Sequence, residues 1–337
     1  MRAAFLHGAG DLRLGEQAEP EPGPDEVLVR VRGVGLCGSD LHYWVDGGTD
    51  ESGIPAPFVP GHEIAAEVAE DRSGSLAPGA LVAVDPSLPC GRCEWCRRAE
   101  PNLCPHQVFM GSPPANHGGL REFLCAPRAN LFPVPDDFTP GRAAALELLG
   151  VAIHTIDLAQ LARGETVTVV GAGPLGLMLV QLARRAGAVA VYALDPVEWR
   201  GHKACDLGAD RSGTGAEVVL EWTAGRGVDV VLEATDTAGG PQVASEVARI
   251  GGRTVLAGIP SGGRLDFSAA VVRRKQLAIQ LVRRMPHVYP RAIELAARGQ
   301  VDLDAVLTHT FPLEQTAAAL DLQAARQDGV LKCVIEP

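Results

Sequence analysis

The chain lacks any hydrophobic run long enough to cross a bilayer: no uncharged apolar stretch occurs in its 337 residues that approaches the ~20 a spanning helix needs. Its opening residues, MRAAFLHGAGDLRL, hold no apolar block of the kind that marks a secretory signal. Membrane residence and export are therefore not expected, and the cytoplasm is the expected address. Positive charge is scarce as well. Lys and Arg number 30 against 41 Asp and Glu, a formal charge of −11, which opposes the basic footprint that nucleic-acid binding requires. Repeats and low-complexity tracts are absent. With 46% apolar and 21% charged residues, the composition is that of a folded protein with sizeable cores and not of a disordered chain.

The length exceeds the ~100–200 residues usual for one domain, so two domains are expected. Residues 1–149 are rich in Gly and Pro and carry short β-like runs, EVLVRVRGVGL and ALVAVDP, which read as strand and loop. From about Arg142 the texture changes to AAALELLGVAIHTIDLAQLA, with apolar residues at the three- and four-residue intervals of a helix. Next, TVTVVGAGPLGLMLVQLARRAGAVAVYALD reads as strand, glycine turn, helix ended at Gly187, and a second strand, one βαβ unit. VDVVLEA and RTVLAGI supply further strands. The last part, residues 282–337, ends in a helix, YPRAIELAARG, and a closing strand, VLKCVIEP. It is expected to return to the first lobe.

Eight cysteines are present, and four of them fall in C-x2-C-x2-C-x7-C: Cys90, Cys93, Cys96 and Cys104. That spacing lets one compact loop, about residues 88–106, surround a Zn²⁺ tetrahedrally with four thiolates. Every position would be filled, so such a site is structural and orders a loop with little core of its own. An iron–sulfur cluster or two disulfides are the alternatives. A second donor set is dispersed: Cys37 in GLCGSDLHYW, His62 and Glu63 in PGHE, and Glu147 in ALELLG. Taken singly, a cysteine is more often core and a histidine a hydrogen-bonded side chain. Together they match the three protein ligands and one open position of a catalytic zinc.

Gly171, Gly173 and Gly176 form G-x-G-x-x-G, with Pro174 and Leu175 between the last two, directly after an apolar strand and before a helix. This is the loop that brings pyrophosphate to backbone N–H groups at a helix N-terminus. Asp195 follows Gly176 by nineteen residues, at the end of the next strand, where a carboxylate accepts both ribose hydroxyls and repels a 2′-phosphate. NAD is thereby favoured over NADP, while the nearby Arg200 keeps NADP open.

On these motifs the sequence resembles the zinc-containing medium-chain dehydrogenases over essentially its whole length, and within them the sorbitol (polyol) dehydrogenase branch. The marks are CGSDLHYW at 37–44, PGHE at 60–63, the four cysteines, FMGSPPANHGGL at 109–120, and Glu147 where the classical alcohol dehydrogenases carry cysteine. The resemblance implies an α/β architecture: a GroES-like β-barrel catalytic domain (1–149, completed by 282–337) and a Rossmann domain (150–281) with a doubly wound parallel sheet. It implies a homodimer or homotetramer, a small alcohol as substrate, and two zinc ions per chain with NAD. Threonine and aminocyclitol dehydrogenases are the rival activities, and a retired, non-catalytic NAD-binding protein is the rival class.

The resemblance also assigns roles. Cys37, His62 and Glu63 would bind the catalytic zinc with a water, and Glu147 would hold that water or replace it; the two glutamates are not ranked. Asp40 would orient His62. Ser39 would receive the alcohol proton and pass it through the nicotinamide ribose to His42. Tyr43, Phe109, Ser112 and Arg284 would line the substrate region. Three departures stand out: ELLG for a glutamate–proline pair, Asp236 where a glycine is common, and RRM at 283–285 for a Phe-Arg-Tyr run.

Overall fold

A computed structural model describes residues 1–48, 54, 57–113 and 117–337; Ala115 and Asn116, within the FMGSPPANHGGL motif, lie with Pro114 outside the described residues. The chain forms two compact units, Met1–Leu148 with Pro286–Pro337, and Leu149–Met285.

The first unit is organised by the long strand Glu26–Gly35, whose buried Val27, Val29, Val31 and Val34 face the core while Arg30 and Arg32 point outward. Alternation of this kind suits a sheet with one covered face. The strand pairs antiparallel with Glu63–Glu70, Phe123–Pro127 and Lys332–Glu336. The full order is Leu307–Pro312, Lys332–Glu336, Glu26–Gly35, Glu63–Glu70, Leu81–Val84 and Leu131–Pro133. Residues from the two ends of the chain thus share one sheet and one apolar cluster, in which Val330, Cys333 and Ile335 pack with Leu6, Leu36 and Ile64.

The second unit holds a six-stranded parallel sheet in the order Arg211–Gly213, Ala190–Leu194, Thr166–Val170, Val228–Glu233, Ala248–Leu256, Ala278–Leu281. Numbered along the chain this is 3-2-1-4-5-6, the doubly wound order whose switch point lies beside the first strand. All six residues of Val228–Glu233 are buried, as a central parallel strand covered on both faces requires. Helix Pro174–Arg185 begins with proline at its first turn, and Gly187 just beyond its C-terminus has φ +101°, the left-handed geometry that favours glycine after a helix. The apolar stretch after Arg142 is not one helix. It divides into Pro140–Ala144, capped by the Thr139 hydroxyl, and Leu146–Ala159.

Candidate active site

Cys37 stands where strand Glu26–Gly35 gives way to helix Gly38–Val45, at the helix N-cap. Three residues on, the buried Asp40 accepts from Cys37 N at 2.9 Å with one oxygen and from Gly61 N at 3.2 Å with the other. One carboxylate therefore braces both the cysteine and the turn that presents His62. That turn needs glycine: Gly61 has φ +89°, and a Cβ there would lie 2.6 Å from a Val34 methyl. His62 Nδ1 is 4.0 Å from Asp40 Oδ2, beyond hydrogen-bond reach, so Asp40 anchors the backbone at Cys37 and just before the histidine and makes no hydrogen bond to its ring. The Phe109 ring lies 5.4 Å from the imidazole.

Glu63 opens the next strand, fully buried and paired in register with Gly35. A Cβ on Gly35 would fall 2.2 Å from a Glu63 carboxylate oxygen, so this glycine makes the room the carboxylate occupies. Across from it, Lys332 Nζ donates to both Glu63 oxygens, at 2.6 and 2.7 Å, and to Leu36 O at 3.0 Å. The lysine is buried, which opposes its charge, but Glu63 and the other anions nearby outweigh that and raise its pKa. Glu147, in the first turn of Leu146–Ala159, is buried too, and its carboxyl is pushed up to about 8, chiefly by burial. Burial and then Glu63 push the Cys37 thiol up to about 11.

A sulfur, an imidazole nitrogen and a carboxylate oxygen from Cys37, His62 and Glu63 all lie within 4.8 Å of one another. Glu147 is outside that tight group. The buried His62 Nδ1 has no hydrogen-bond partner among the described residues. A soft, a borderline and a hard donor converging where anions are poorly solvated fit a zinc ion, whose charge would offset what burial costs them.

The remaining residues are distributed as follows. Ser39 is half-buried in the first turn of helix Gly38–Val45; His42, buried on the same helix, shares a 2.8 Å hydrogen bond between Nδ1 and Asp46 Oδ2. Tyr43 is set in the barrel core, edge-on to Phe58 at 5.3 Å. Ser112 donates its backbone N–H to Phe109 O. Arg284 belongs to the other unit, where it is half-buried with φ +52°. Asp236 O accepts from Ser261 N, joining two loops of that unit.

Cys90, Cys93, Cys96 and Cys104 form a second group of converging donors, all four thiols free of disulfides. Their loop is closed by the antiparallel pair Ser87–Leu88 and Val108–Phe109. The Arg92 N–H donates to Cys90 and holds its thiol down to about 6, whereas desolvation, reinforced by the contact with Cys93, pushes Cys96 up to about 12.

In the other unit each glycine of the loop has a separate steric role. Gly171 has φ +93° and would meet Ala234 O at 2.9 Å; Gly176 would meet Gly171 O at 1.8 Å; Gly173, the N-cap, faces open space. The first two permit the tight turn and helix–strand contact, and the third leaves clearance for a ligand at the helix N-terminus where Pro174 and Leu175 begin. Asp195, buried after strand Ala190–Leu194, accepts from Ala172 N and Val197 N, both at 2.8 Å. Arg200 is buried nearby in sequence, its guanidinium 5.4 Å from the Trp199 ring.

Lys332, Gly35 and Gly61 are the site residues that motif reasoning missed. The signal for Lys332 was a lone charge inside the apolar run VLKCVIE, since a lysine is almost never fully buried unless paired.

A barrel carrying a thiolate–imidazole–carboxylate cradle, together with a doubly wound sheet carrying a dinucleotide loop, defines a metal-dependent dehydrogenase. Residues 23–136 match the model of the alcohol dehydrogenase GroES-like domain, and residues 174–298 that of the zinc-binding dehydrogenases. The chain is 33% identical to a sorbitol dehydrogenase of Bacillus subtilis (strain 168), covering 100% of this chain and 97% of that one. It is 35% identical to the sorbitol dehydrogenase of Gallus gallus, covering 98% and 96%. A Sinorhizobium meliloti 1021 structure assigned as a zinc-binding dehydrogenase and bound to NADP superposes with a TM-score of 0.88 at 29% identity, covering 100% and 99%. The chain belongs to the zinc-containing medium-chain dehydrogenases, in their sorbitol dehydrogenase-like branch.

Proposed function

We propose that this enzyme oxidises a secondary alcohol of a polyol such as sorbitol or xylitol to the ketone, with NAD as acceptor. The observation that carries the reading is the convergence of Cys37, His62 and Glu63 donors within 4.8 Å. The similarity to sorbitol dehydrogenases supports the polyol. When bound, zinc would supply Lewis acidity and a nicotinamide dinucleotide would supply the hydride-accepting chemistry. Cys37, His62 and Glu63, with Glu147 beside them, hold the metal in the barrel. Ser39 would take the hydroxyl proton and His42, whose ring Asp46 holds in one orientation, would receive it in turn. Phe109, whose ring lies against His62, belongs to the substrate region with Ser112, Tyr43 and Arg284. Gly171, Gly173 and Gly176 seat the pyrophosphate, and Asp195 takes the ribose hydroxyls. The four-cysteine loop holds a second, structural zinc. The enzyme works in the cytoplasm as a homodimer or homotetramer.

NADP is the second reading, favoured by Arg200 and by the NADP-bound relative. The test is NADH or NADPH formation from a panel of polyols, threonine and cyclitols by protein of known zinc content. Turnover of a polyol with NAD and two zinc ions per chain is expected. Turnover confined to threonine or a cyclitol would replace the substrate assignment, and a kcat/KM higher with NADP would replace the cofactor.

A further inference from the structure

The Glu63–Lys332 pair joins a metal-ligand candidate to the closing strand across 269 residues of sequence. Lys332 is held independently of Glu63. Leu36 O accepts from it and also from Gln323 Nε2 at 2.9 Å, while Gln323 Oε1 accepts from Cys333 N at 2.7 Å. Strand pairing of Val334 with Gly35 fixes the same stretch of backbone. The ammonium is therefore a fixed charge against both oxygens of a carboxylate that Gly35 has room for in this place. A carboxylate shared between two cations binds each less tightly than it would alone, because the cations repel one another at short range in a poorly screened interior.

We propose that Lys332 is a positioning residue that shares Glu63 with the zinc, weakening this carboxylate as a ligand so that one coordination position stays exchangeable for substrate. The inference rests on the assignment of Cys37, His62 and Glu63 as the zinc site. It gives Lys332 a role through Glu63 and no contact with substrate.

The test is zinc affinity by chelator competition, with the visible spectrum of protein carrying cobalt in place of the catalytic zinc. In Lys332→Met, Glu63 is released to the metal: zinc should bind at least ~10-fold tighter, the cobalt bands should shift, and KM should rise, because substrate must displace a firmer Glu63, while kcat changes less. Adding Glu63→Gln should abolish the tightening, and Lys332→Arg should restore the wild-type spectrum. Unchanged or weaker zinc binding in folded Lys332→Met would overturn the proposal. Should Lys332→Met fail to fold, Glu63→Gln alone decides. A loss of zinc affinity under ~10-fold supports sharing, and a loss as large as that of Cys37→Ala overturns it. Retention of both zinc ions by Cys37→Ala would instead remove the zinc-site assignment itself.

Discussion

The two donor clusters of this chain solve the same coordination problem in opposite ways. Cys90 to Cys104 span 14 positions and need only a loop closed by two short strands. Cys37, His62 and Glu63 come from a helix N-cap, a glycine turn and the start of a strand, and they meet only when the barrel sheet has formed. The local cluster supplies four like donors and leaves no vacancy, as a structural site does. The dispersed cluster supplies unlike donors in a buried place, with a counter-cation built in. Where donors sit in the chain thus separates a cluster that a short loop can close from one that only the folded sheet assembles.

Three experiments break or sharpen that contrast. The largest effect is expected for Cys37→Ala, which removes one of three donors. Loss of several kcal/mol of transition-state stabilisation corresponds to a fall in kcat on the order of 10³-fold. Circular dichroism should be unchanged and one zinc per chain retained, and a variant that unfolds would show that this cluster also makes structure. Next, Cys104→Ser should lose the other zinc and lower the thermal midpoint by on the order of 5–10 °C, with kcat per folded molecule little altered. A midpoint that does not move would break the structural assignment.

The smallest effect is in pH. The Glu147 carboxyl, buried and raised to about 8, stands above its ordinary value near ~4.3. Its contribution to the stability of the metal-free protein is present at acid pH and lost as pH rises through about 8. A zinc ion held by the neighbouring donors would favour the deprotonated form. The gap in thermal midpoint between zinc-loaded and metal-free Cys104→Ser protein should therefore widen from pH 5 toward pH 8, by a few degrees at roughly 1 kcal/mol. Cys37 also gives up a proton to the metal over this range, so the widening should be smaller in Glu147→Gln, and equal widening in the two would mean that Glu147 does not titrate with metal binding.

Much of this was legible in the residues. The cysteine spacing and the glycine loop are local patterns whose geometry follows from the chain itself, and strand and helix periods gave one βαβ unit, while the barrel-plus-Rossmann architecture came from the family resemblance. The dispersed donors Cys37, His62, Glu63 and Glu147 could be grouped as one set, but the two glutamates could not be ranked, because which of them meets the cysteine and histidine depends on the register of Gly35 against Glu63 and on the Gly61 turn. Lys332 showed only as a lone charge in an apolar run, and its partner is settled by sheet order and not by spacing. Asp40 was read as a partner of the His62 ring, whereas its hydrogen bonds go to Cys37 N and Gly61 N. Tyr43, proposed for the substrate region, also packs edge-on against Phe58 in the barrel core.

The distance of Lys332 along the chain also sets an order in time. At the ~5–20 residues per second of synthesis, the four cysteines emerge within a few seconds of one another, so their loop can load its ion on the nascent chain. Glu63 waits on the order of tens of seconds for the residue that balances its charge. The cell thus has a window in which the structural ion can be in place before the catalytic cradle is electrically complete.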